Sequence, residues 1–157
     1  MGNVEQLLAI IDQAYDHTSW HGTNLRGSVR RVSLEQAAWR PGPKRHNIWE
    51  TMVHAAYWKY AATRRFTGGA RGSFPLKGSN WFKRPQETTE KAWKTDVALL
   101  DQMHREFREA VETLSTRDLA VTPPGKKVNN FALISGIAAH DLYHAGRIQL
   151  LKKLYSR

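Results

Sequence analysis

Cysteine is absent from this 157-residue chain. Disulfides, thiolate metal ligands and a cysteine nucleophile are therefore excluded, and any thiol chemistry needs a thiol supplied from outside. Also missing is any apolar run near the roughly 20 residues that a membrane span requires, so no membrane partner is expected. The opening stretch MGNVEQLLAIIDQAYD carries acids where a secretory signal would carry lysines. No targeting segment is expected, and the cytoplasm is the expected location. Acidic residues are scarce, 14 Asp and Glu against 24 Lys and Arg, for a formal charge of +10. The bases are spread along the chain and many fall in or beside loops, where solvated charge is ordinary, so nucleic acid is not an expected partner. The length suits one domain, 1–157, with a single well-buried core.

What is present is helical periodicity. The stretch from Asn130 to Arg157 has no proline. In it Leu133, Ile137, His140, His144, Ile148 and Leu151 follow at steps of three and four, which places them on one stripe of a helix. His140 and His144 sit one turn apart within that stripe. Two such imidazoles can present nitrogens to a common point, as metal ligands do. The other reading makes each a core histidine paired to a buried carbonyl or carboxylate. A metal needs a third ligand from elsewhere in the chain.

Taken in order, Asn3 is placed to cap a first helix running to about Thr18, with Val4, Leu7, Leu8, Ile11, Ala14 and Tyr15 on its apolar face. A short helix is expected within Asn24–Val32. Ser33-Leu34-Glu35-Gln36 has the spacing of a capping box that opens a brief turn closed by Pro41 and Pro43. Asn47 caps a second long helix that Gly68-Gly69 stops. His54 lies in the middle of it, aligned with Glu50, Trp58 and Ala61. Its depth along the helix would let a crossing partner bring it opposite the histidine pair. From Gly68 to Gln86 the sequence GGARGSFPLKGSNWFKRPQ has no usable period and reads as a long connection. Phe74, Trp81 and Phe82 are expected to pack it onto the body. Thr88 or Thr89 caps a third long helix, whose seam runs Trp93, Val97, Leu100, His104, Phe107, Val111 and Leu114. His104 has no partner one turn away and reads as a buried, hydrogen-bonded core residue. A loop of about fifteen residues leads to the last helix. Four long amphipathic helices and no convincing strand give an all-α fold, a four-helix bundle with a long central crossover connection.

A mid-helix histidine in IWETMVHAAYWKY, an H-x-x-x-H in HDLYHAGRIQLLKK, WHG followed by LEQAAWRP, and FTGG after the second helix together resemble the DinB-like (YfiT-like) metalloenzyme family. The similarity covers essentially the whole chain. It implies a four-helix bundle with a divalent metal, zinc or nickel, held by His54, His140 and His144. Three protein nitrogens with an open position is the coordination of a catalytic rather than a structural zinc. Relatives with known activities are thiol-dependent transferases and isomerases whose metal binds the sulfur of bacillithiol, mycothiol or a similar small thiol. Arg147 departs from the pattern, since relatives often carry glutamine there. It is expected to pair with Asp141 or Glu50, or to bind a substrate carboxylate.

The expected function is a metal-dependent enzyme that activates an exogenous small thiol, as an S-transferase, or a water. The alternative is a non-catalytic, stress-related binding protein with a structural histidine site and a basic surface. Glu50, Asp141, Arg147, Trp58 and His104 are candidates to support the site or bind substrate. No residue is assigned as catalytic in its own right. The aromatic content, six Trp, five Tyr and five Phe, raises a homodimer through helix faces as a further expectation.

Overall fold

The computed structural model describes residues 3–156, and every regular element among them is helical. Helix α1 spans Asn3–Tyr15 and buries Leu7, Leu8, Ile11, Ala14 and Tyr15. Asn3 is already helical, and the helix stops three residues short of the expected Thr18, where the Asp16 and His17 amides both turn back to the Asp12 carbonyl. The brief helices α2 (Leu25–Ser28) and α3 (Leu34–Ala38) follow, capped by the side chains of Asn24 and Ser33.

Helix α4 (Ile48–Thr67) starts on a reciprocal capping box between Asn47 and Glu50 and ends at Gly68, whose φ of 73° is the left-handed conformation that glycine adopts without strain. Thr89 caps α5 (Glu90–Glu112), and Asn129 caps α7 (Asn130–Tyr155). The connection between those two contains a four-residue helix that periodicity does not reveal, α6 (Thr116–Leu119), held by a capping box of Ser115 and Asp118.

Around the bundle, α1 packs on α5, α5 on α4, α4 on α7 and α7 back on α1. Helix α4 is buried nearly all round through its first half, from Ile48 to Ala56. Its polar residues there are therefore enclosed by packing, whatever their own hydropathy. One apolar cluster gathers Trp49, Met52, Val53, Phe82, Trp93, Leu100 and Ile148, and a second gathers Leu7, Ile11, Phe107, Val111, Ile134 and Ile137. Phe74 and Phe82 anchor the long connection in the first of these clusters, as expected. None of the described helices is long and apolar enough to cross a membrane.

Polar groups tie the helices at depth. The Trp49 indole donates to Asp96 at 2.6 Å, and the same carboxylate receives Arg84 from the connection. Deeper still, the Lys59 ammonium of α4 donates to Asp141 of α7, with both side chains almost wholly buried. Lys59 also lies 5.0 Å from the Tyr15 ring centroid and 5.7 Å from that of Phe107, so aromatic faces enclose the cation.

Candidate metal centre

Helices α4 and α7 are neighbours, and their packing brings His54 of α4 opposite His140 and His144 of α7. The His140 Nε2 lies 3.2 Å from the His54 Nε2 and 3.0 Å from the His144 Nε2. One nitrogen from each ring falls within 4.8 Å of the others, so the three could hold a metal ion. Two nitrogens bonded to one zinc at 2.0–2.1 Å are about 3.3 Å apart at a tetrahedral angle, close to these two separations.

For His54, proton accounting agrees with that fit. The His54 Nδ1–H donates to the Asn80 carbonyl at 2.8 Å, since a carbonyl only accepts. A neutral ring has one N–H, so the His54 Nε2 presents its lone pair to the centre. This is how metal-ligating imidazoles are commonly oriented by a partner on the other nitrogen. The His140 Nε2 faces two nitrogens, and a single proton there satisfies only one of them. A cation at the common point satisfies all three. Burial is the main cause that lowers each ring's pKa, to about 4 at His140 and about 3 at His144, with His54 lowered as well. Mutual repulsion among the rings, and Arg147 near His54 and His144, act the same way. At neutral pH the rings are uncharged, the form that donates to a metal.

The long connection supplies a wall that the sequence does not assign. Trp81 stacks on His54 at 3.8 Å between centroids, and on its other side His46 stacks on Trp81 at 3.6 Å. Asn80, at a φ of 66°, accepts His54 on its carbonyl and the Trp58 indole on its side chain at 2.9 Å. Asparagine is among the few side chains that tolerate this conformation. Composition alone shows aromatics in the connection. Which of its residues reach the histidines is set by an irregular backbone with no period to read.

The candidate supporting residues divide. Trp58 stands at the edge of the site, its ring 6.4 Å from that of His54 and 6.5 Å from that of His140. Arg147 is near the site but pairs with neither expected carboxylate, and its guanidinium lies 5.6 Å from the centre of Trp81. Asp141 is taken by Lys59, behind the site, and Glu50 by Arg40 and His46. For Glu50, burial would raise the pKa, but bonds from Arg40, His46 and the Arg84 amide outweigh it and hold it low. Its link to the centre is indirect, through the His46–Trp81–His54 stack.

His104 makes no hydrogen bond or ring contact with the three histidines among the described residues. It is buried as expected, stacked on Tyr15 at 3.6 Å, but its Nδ1 has no hydrogen-bonding partner there. Burial, followed by the charges of Lys59 and Arg108, lowers its pKa to about 2. The unfolded ring takes a proton near pH 6.5 and the folded one does not, so the unfolded state binds more protons below that pH. This contribution to stability is whole above pH 6.5 and is lost as pH falls toward 2. Wild type is expected to lose up to about 2 kcal/mol more than His104→Phe between pH 7 and 5, measured by urea unfolding. Equal losses in the two proteins would show that His104 is charged in the fold.

Beside His54 and His140 opens a groove of about 450 Å³ whose walls include Trp58, Arg65, Leu133 and Ile137. A family model described as the DinB superfamily matches residues 17–148 of the chain. No curated protein and no solved structure matches it.

Proposed function

The chain belongs to the DinB superfamily, and from that premise we propose that it is a metal-dependent enzyme of the thiol S-transferase type, acting in the cytoplasm. His54, His140 and His144 would hold a divalent cation, zinc or nickel, which would supply a Lewis acid for a small exogenous thiol. The observation that carries this reading is the convergence of three neutral ring nitrogens beside a groove, with His54 oriented by the Asn80 carbonyl. A bound dication favours thiolate over thiol, which raises the nucleophile's population at neutral pH.

The chain's own residues do the rest. His54 is fixed between Asn80 and Trp81, which limits its freedom to leave the site. Arg147, held over Trp81, would add positive charge near the site. The groove walls of Trp58, Leu133 and Ile137 receive the apolar body of an electrophilic acceptor. Sulfur then attacks the acceptor carbon, the leaving group departs with its electron pair, and the thiol proton passes to solvent. Water is the alternative co-reactant, since the same ligand set supports hydrolysis. The groove beside His54 and His140 favours these catalytic readings over an enclosed structural metal.

The test is thermal. The zinc-loaded protein is expected to gain melting temperature with a small thiol, in proportion to the logarithm of thiol concentration over its dissociation constant. The chelated protein and His144→Ala should gain much less. Equal gains in all three would remove the metal–sulfur link.

A further inference from the structure

A cavity of about 710 Å³ lies beyond the groove and is edged by five cations: Arg64, Arg65, Arg71, Lys77 and Lys126. No Asp or Glu lines it. None of the five takes part in an ion pair among the described residues. The negative C-terminal end of α4 accounts for Arg64 and Arg65, which lie in its last turn. Arg71 and Lys77 come from the long connection and Lys126 from the segment before α7, so that explanation does not reach them. Gathering like charges around one concavity costs repulsion that a bound anion relieves. The volume is that of a small-molecule site. Tyr57, Tyr60 and Phe74 also line it, and they pack ring against ring at 5.3–6.0 Å, so the cavity has apolar wall as well as charge.

Arg65 belongs to both spaces. Its guanidinium lies 5.2 Å from the centre of the Trp58 ring in the groove, and its buried Nε has no acceptor. We infer that this basic cavity binds a small, multiply charged oxyanion, a phosphate ester or a polycarboxylate, forming the anionic end of a ligand whose other end reaches the histidines along the groove. That the far end reaches a metal rests on the function proposed above. The anion site stands on the cavity alone.

Titration calorimetry with pyrophosphate and, separately, citrate tests it on the full chain. Both probes carry several charges, and the tighter one identifies the phosphate or the carboxylate class. Binding is expected to weaken as salt rises. Arg71→Gln/Lys77→Gln, two exposed positions, should weaken it about tenfold or more with zinc content unchanged. The charge-matched pair Arg30→Gln/Lys153→Gln, on a separate basic patch, should bind as wild type does. His144→Ala should lose zinc yet keep the anion, which separates failure of the metal reading from failure of this one. No binding of either probe, equal weakening in the two double variants, or loss of the anion in His144→Ala would each overturn the inference.

Discussion

Replacing His144 by Ala is expected to weaken zinc binding on the order of a hundredfold or more, because loss of a partner that only orients a ligand already costs ten- to a hundredfold. His144 stands 3.0 Å from His140 at the centre of the cluster and is almost fully buried. Removing it leaves two imidazoles, His54 and His140, on different helices, and a two-nitrogen site has little hold on the ion. His54→Ala is expected to do the same, although His54 lies 86 residues away from His140 in sequence. Trp58→Phe keeps all three nitrogens and removes only the indole bond to the Asn80 side chain, so its effect should be far smaller. Metal analysis after dialysis, with circular dichroism to confirm helix content, separates these cases. One zinc per chain retained in folded His144→Ala and His54→Ala would place the ion elsewhere.

The second large effect is on stability. Asp141→Ala leaves the Lys59 ammonium enclosed without a counter-charge, and Lys59→Met leaves the Asp141 carboxylate likewise. Breaking a buried pair from one side costs about 3–5 kcal/mol. The upper end applies here, because the orphaned group escapes only by becoming neutral. A loss of that size is a third or more of the total stability of many domains. The double variant Lys59→Met/Asp141→Leu removes both charges and should recover most of the loss. Urea unfolding of the three proteins measures this. Single variants as stable as wild type would mean that the pair is solvated. The pair joins α4 five residues beyond His54 to α7 one residue beyond His140, so it also fixes the register of the helices that carry the site. Zinc affinity should fall in the single variants and return in the double.

The amino-acid order determined the elements and the local half of the site. Steps of three and four define one face of a helix, and caps such as Asn47, Gly68 and Thr89 end it, because both act within a turn or two of backbone. His140 and His144 belong to that local half, since any helix through them sets the rings one turn apart. His54 is different. Its part in the cluster follows from α4 packing on α7, and the residues alone left its partner open until the family resemblance supplied one. Lys59 gave no signal, because a lysine inside a helical pattern reads as a solvated side chain until a neighbouring helix brings Asp141 against it. Arg147 was open to Asp141, Glu50 or a substrate carboxylate, and packing gave the first two to other bases, leaving it over Trp81. The 68–89 connection has no period, so nothing along the chain marked Asn80 and Trp81 as the residues that hold His54. Periodicity specifies which face of each helix is apolar. Which faces meet, and which polar groups are buried between them, is decided only when the helices pack.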